Sequence, residues 1–193
     1  MSGSDRARAA LGSAIALHQQ VLAAGVDQVV KAATAITASL AGGGTVLVCG
    51  NGGSAADAQH AAAELVGRFR RERQGWAAIA LTSDSSVLTS IANDYGFERV
   101  FARQVEALGR PGDVLLAIST SGASANVRAA LEVARAGRMT TVALTGRDGG
   151  AVGADVDIHV NVASDDTPRV QEVHRTLLHI LCDLIEDELA AKR

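Results

Sequence analysis

The chain has 193 residues, 48% hydrophobic, 20% charged and only 3% aromatic, with a net charge of −3. That length supports a full hydrophobic core in one domain without covalent staples. The charge balance excludes general attraction to nucleic acid or to an anionic membrane, and no charge-free apolar run approaches the roughly 18 residues of a membrane span. No cleavable leader pattern is present. Cys49 and Cys182 each sit inside an apolar run, which predicts reduced core residues of a cytoplasmic protein.

Residues 5–41 are alanine-rich, contain no proline and carry apolar positions at helical spacing. They predict two helices that break near Gly25 and end at Gly42-Gly43-Gly44. This segment either covers a sheet or pairs with another subunit. Five short apolar runs follow: Thr45–Cys49, Ala77–Leu81, Val114–Ile118, Thr141–Thr145 and Asp157–Val162. The first four are nearly continuous, as in strands buried on both faces. The fifth alternates polar and apolar residues, which suits an edge strand. Helical segments separate the runs at 55–70, at 84–106 with a break around Asn93–Gly96, and at 124–136. A last helix spans 167–191, opened by Thr167-Pro168 with a capping hydroxyl and a proline at its first turn. Alternating strands and helices predict a single doubly wound α/β domain with a parallel sheet, preceded by the helical segment 1–44.

In such sheets ligands bind outside the carboxyl ends of the strands. Those ends carry small, hydroxyl-rich and glycine-rich loops: Gly50–Ser54, Thr82–Asp84, Ser119–Ser124 and Gly146–Asp148. The STSGAS loop at 119–124 enters a helix, where backbone N–H groups and four hydroxyls suit a phosphate ester. The alternative is a plain capped turn, which needs only one of those hydroxyls. Neither glycine-rich loop matches the Walker A or dinucleotide-binding pattern, which disfavours nucleotide chemistry.

His60 and Glu64 are four residues apart on the helix after the first strand and share a face. Gln171 and His179 are eight apart on the last helix, about 80° around it, and can also share a face. The pairs are either surface contacts or two halves of a divalent metal site. Asp57, one turn before His60, either orients that imidazole or sugar, or balances the helix dipole. The arginines at 68, 70, 71 and 73 read as a solvated helix end, or as a source of one cation that reaches an anionic ligand across a subunit interface. His18, His159 and Trp76 read as ordinary polar or structural positions. His174 reads as a packed helix histidine or a support for the ligands.

The blocks CGNGGSAADAQHAAAEL at 49–65, ANDYG at 92–96, ISTSGAS at 118–124 and DTPRVQEVHRTLLH at 166–179 closely resemble bacterial sedoheptulose 7-phosphate isomerases. These phosphoheptose isomerases belong to the sugar isomerase (SIS) domain family, and the likeness spans essentially the whole chain. It implies an αβα sandwich with a five-stranded parallel sheet, and a homotetramer whose sites are completed by neighbouring subunits. It implies one zinc ion on His60, Glu64, Gln171 and His179. It also implies substrate contacts at Asn51, Gly52, Gly53, Ser54, Glu64, Asn93, Asp94, Ser119, Thr120, Ser121, Ser124 and Gln171.

The implied reaction converts D-sedoheptulose 7-phosphate to D-glycero-D-manno-heptose 7-phosphate through a cis-enediol, the first step of activated heptose biosynthesis. Such proton transfer needs a carbon base, a group that shuttles hydroxyl protons and a stabiliser of the developing oxyanion. Glu64 is the expected base and His179 the expected acid/base, with zinc either polarising a substrate oxygen or mainly orienting groups. Two rival readings are a non-enzymatic SIS protein that binds a replication initiator and an isomerase of another sugar phosphate. The retained His60, Glu64, Gln171 and His179 set opposes the first, and the NGGSAADAQH block opposes the second.

Overall fold

The structure, a computed structural model, describes residues 1–190. Helices α1 (Gly3–Ala24) and α2 (Asp27–Ala41) precede β1 (Val46–Gly50), α3 (Gly53–Val66) and β2 (Ala78–Ala80). There follow α4 (Ser85–Tyr95), a 3-10 turn (Phe97–Arg99), α5 (Ala102–Leu108), β3 (Val114–Ser119) and α6 (Ala125–Ala136). The chain then runs through β4 (Thr140–Gly146), α7 (Gly150–Gly153), β5 (Ile158–Val162) and α8 (Thr167–Ala190). Residue 191, the expected end of the last helix, lies outside the described residues. Among the described residues no single helix is long and apolar enough to cross a membrane, and α1 with α2 passes only as a pair bent by 78°.

All five strands are parallel, in the order β2-β1-β3-β4-β5. The chain moves outward from β1 to β2 and then returns to place β3 on the other side of β1. The order therefore reverses between β1 and β3, where a crevice opens at the carboxyl ends of the strands. Alternate strand residues feed opposite layers. Val46, Val48, Leu116 and Leu144 pack under α2, α3 and α8, while Leu47, Cys49, Leu115 and Ala143 pack under α4, α5 and α6. The two layers make the expected αβα sandwich, with α3 and α8 on one face. Both cysteines are buried and unpaired, and burial pushes each thiol up to about 12, so they are packing residues.

Three expectations need correction. Ala77–Leu81 is not a central strand: β2 keeps only three residues at the sheet edge, with Ile79 40% exposed. Its apolar run covers a single neighbouring strand and the edge beside it. Helix α3 ends at Val66 rather than at 70, and of the following arginines Arg68, Arg70 and Arg71 are solvated while Arg73 is not. Arg73 is buried against Glu186 at 2.9 Å. The short α7 lacks the length needed to show a helical pattern. The break near Asn93–Gly96 falls at Gly96, whose φ of +87° ends α4 in a conformation open to glycine.

His174 lies on the inner face of α8 with no exposed surface. Its Nε2 donates to the Thr145 carbonyl at 3.0 Å, and its Nδ1 has no partner among the described residues. Burial is the chief cause holding this imidazole below its ordinary value of 6.5, so the folded ring is neutral. The unfolded ring takes a proton below that value and the folded one resists, so protons favour unfolding there. Its contribution is complete above about pH 6.5 and is lost as pH falls toward the depressed folded value. Chemical unfolding between about pH 7.5 and 5.5 should show stability falling, and His174→Gln, which keeps the donor but does not titrate, should flatten that dependence. An unchanged slope would assign the effect to other groups, with His60 and His159 next, since both are also lowered.

Candidate active site

The loop from β1 into α3 folds as it does because side chains would not fit. Gly52 has φ +56° and ψ −121°, a conformation that only glycine adopts freely. A Cβ on Gly50 would press within 2.9 Å of the Ser54 backbone, and one on Gly53 would meet the Gln171 amide. The amide of Gln171, on α8, therefore lies over the first turn of α3. Ser54 is buried in that turn. Asn51 exchanges two 2.9 Å hydrogen bonds with Asn126. This amide pair ties the loop after β1 to the first turn of α6.

The loop after β3 differs from an ordinary capped turn. Asp84 caps α4 by accepting the Val87 N–H at 3.0 Å. Ser124 occupies the corresponding position before α6 but makes no side-chain cap bond. Its hydroxyl instead meets the Ser119 hydroxyl at 2.9 Å, while Ser121 accepts the Ala123 N–H at 3.2 Å. Thr120 and Ser121 are half-buried. The first N–H groups of α6 thus keep their hydrogen-bonding capacity and their positive dipole end, a setting that suits an anion.

Helices α3 and α8 bring three of the four predicted ligands, His60, Glu64 and His179, together. His60 Nε2 lies 2.7 Å from His179 Nε2 and 3.5 Å from Glu64 Oε1. The three ligand atoms all fall within 4.8 Å of one another. Two imidazole nitrogens and a carboxylate oxygen aimed at one point form a donor set that suits a divalent metal. Burial, then the Arg175 charge, lowers the His60 pKa against the opposing pull of Glu64, favouring the neutral ring that a metal needs. Gln171, two turns before His179 on α8, has its amide against Gly53 at the start of α3.

Asp57 has a partner that the sequence did not suggest. Arg175 Nε donates to Asp57 Oδ1 at 2.7 Å, and Arg175 Nη2 donates to the same oxygen. The pair links α3 to α8 beside the cluster. Phe69 also escaped the sequence reading: its ring centroid is 5.5 Å from that of His179. Among the described residues, no hydrogen bond ties Asn93 or Asp94 to the His60–Glu64–His179 cluster. They are exposed on α4 and bonded to each other at 2.8 Å. Arg175 did carry a signal, since it lies four residues from both Gln171 and His179 on the same helix.

The SIS domain profile matches residues 11–146. The chain belongs to the SIS domain family, in its phosphoheptose isomerase branch. It is 53% identical over 177 residues to the phosphoheptose isomerase of Roseiflexus sp. (strain RS-1), covering 92% of this chain and 90% of that one. It is 60% identical over 155 residues to that of Geotalea daltonii, covering 80% and 81%. The phosphoheptose isomerase structure from Neisseria gonorrhoeae superposes with a TM-score of 0.92 at 46% identity, over 96% of this SIS chain and all of the other.

Removing one ligand of the α3–α8 cluster should weaken metal uptake without unfolding a fold whose core lies elsewhere. His60→Ala is therefore expected to bind cobalt or zinc less tightly, measured by titration of metal-free protein, with unchanged circular dichroism. Equal affinity would remove His60 from the ligand set. In the loop after β3, Ser119→Ala with Ser124→Ala should weaken sugar phosphate binding more than turnover of the bound substrate. Wild-type affinity in that double variant would reduce the loop to a structural turn.

Proposed function

We propose that this SIS protein is a sedoheptulose 7-phosphate isomerase that forms D-glycero-D-manno-heptose 7-phosphate, the entry reaction to activated heptose. The observation that carries the reading is the convergence of His60, Glu64 and His179 beside a strand-end crevice built for an anion. A SIS protein acting only as a scaffold has no need of that donor set. Helix α3 rises about 10 Å between Gly53 and His60. A substrate anchored by phosphate at the strand ends reaches the cluster only with a long carbon chain, which favours a heptose over a triose.

His60, Glu64, Gln171 and His179 would hold the divalent ion, with zinc the best match to imidazole and carboxylate donors. When bound, the ion supplies a Lewis acid beside the C1 and C2 oxygens. The Ser119–Ser124 loop and the N-terminus of α6 hold the phosphate, and Asn51, Gly52, Gly53, Ser54 and Gln171 line the sugar between phosphate and cluster. Glu64 removes the C1 proton of the ketose while His179 delivers a proton to the C2 oxygen, giving the cis-enediol. Glu64 then returns a proton to C2 as His179 takes up the O1 proton, giving the aldose and restoring both groups. Asn93 and Asp94, remote in one chain's hydrogen-bond network, are assigned to substrate through the assembled oligomer.

That oligomer is proposed as a cytoplasmic homotetramer. Its support is the apolar stripe of α1, where Leu11, Ile15 and Leu22 are 66%, 60% and 74% exposed in the single chain and only Leu17 is buried. A stripe of this size on a water-facing helix suits the N-terminal segment to a subunit interface.

Purified protein incubated with sedoheptulose 7-phosphate should yield the aldose. Glu64→Gln keeps the shape and an oxygen donor but removes the base, so turnover should fall at least about a hundredfold while sugar phosphate still binds. Mass spectrometry in deuterated water follows the enediol separately through label at C1 or C2. Near wild-type turnover and exchange by Glu64→Gln would assign the carbon base to another residue.

A further inference from the structure

Glu186 stands seven residues beyond His179, two turns along α8 and on the same side of the helix. Its side chain is 1% exposed, yet it carries a full set of partners. One oxygen accepts the Phe69 N–H at 2.9 Å and Arg73 Nε at 2.9 Å. The other accepts the Arg70 and Arg71 N–H groups, each at 3.0 Å. Burial alone would raise this carboxyl, but the three backbone donors and Arg73 outweigh it and hold the pKa below the ordinary value.

Arg73 carries the linkage to the other metal-site helix. Its terminal nitrogens donate to the carbonyls of Glu64 at 2.7 Å, Leu65 at 2.9 Å and Gly67 at 3.2 Å. The Glu64 and Leu65 carbonyls belong to the last turn of α3, where no further helical N–H is available to them. A guanidinium there also complements the negative end of the helix dipole. The same group lies 3.5 Å from the centroid of Trp76, so it is fixed on every side. Glu64 itself supplies one of the captured carbonyls.

Resting on the metal-site reading above, we propose that Glu186 and Arg73 are positioning residues of the active site. They hold the last turn of α3 at a set distance from α8 and seat the Phe69 ring on His179. The backbone bond from Phe69 to Glu186 places that residue directly, and its ring packs against the imidazole at an interplanar angle of 32°. A buried ion pair is weak evidence for stability by itself. Here it serves geometry: its hydrogen bonds end on the helix turn that bears Glu64 and on the loop that touches His179.

The test titrates metal-free wild type, Glu186→Gln and Phe69→Leu with cobalt, followed by absorbance, well below each protein's unfolding temperature. The kcat and KM for sedoheptulose 7-phosphate are measured beside it. Glu186→Gln should bind cobalt about ten- to a hundredfold more weakly, the usual cost of losing a group that orients metal ligands. Its kcat should fall with little change in KM, because the phosphate loop is untouched. Phe69→Leu should move both quantities in the same direction while leaving the Glu186–Arg73 bonds intact, and it decides the matter if Glu186→Gln does not fold. Wild-type cobalt affinity and kcat in the folded variants would overturn the proposal. If wild type itself takes up no cobalt, or His60→Ala binds it equally well, the metal-site reading fails and this inference falls with it.

Discussion

The structure turns on one close approach: the Nε2 atoms of His60 and His179 meet at 2.7 Å although 119 residues separate them in the chain. A parallel sheet makes this approach possible. Each strand is followed by a helix on one face or the other, and the crossovers place α3 and α8 side by side on the same face. Both helices begin near the carboxyl edge of the sheet. A residue two turns into α3 therefore comes level with one three turns into α8. The anion-binding loop after β3 sits at the same edge, at the point where strand order reverses.

Holding polar groups at such a junction requires neighbours that neither collapse nor drift. The inward face of α3 is largely alanine, with Ala58, Ala61 and Ala62 buried, so the helix can lie close to the sheet and to α8. Two ion pairs then brace the helices on either side of the cluster. Asp57 with Arg175 lies one turn before His60, and Arg73 with Glu186 lies at the end of α3. Exposed ion pairs contribute little to stability. These have one carboxylate each that is nearly inaccessible, at 5% and 1% exposed, so breaking either leaves an unpaired buried charge and is strongly disfavoured.

Much of this was legible in the chain. The three buried strand runs at β1, β3 and β4, and the alternating pattern of β5, announced their places because burial on two faces or one leaves different periodicities. The run at Ala77–Leu81 misled, because an apolar run does not reveal how many strands flank it. Spacing alone left His60–Glu64 and Gln171–His179 open between surface contacts and two halves of one metal site; likeness to a family favoured the second, and the fold brings His60, Glu64 and His179 together. The RFRRER segment looks like solvated charge since its partner, Glu186, is more than a hundred residues away on an apolar helix face. Asn126 was similarly silent: its bond to Asn51 depends on β1 and β3 being neighbours, which is a property of strand order and not of local sequence.

The most direct test of the central claim is an anomalous difference map, recorded at the zinc edge, from crystals grown with zinc and soaked with sedoheptulose 7-phosphate. The account predicts one peak among His60, Glu64 and His179, with the C1–C2 end of the sugar against it and the phosphate on the loop at 119–124. A map with zinc bound elsewhere, or a sugar lying with its phosphate at the histidines, would contradict it.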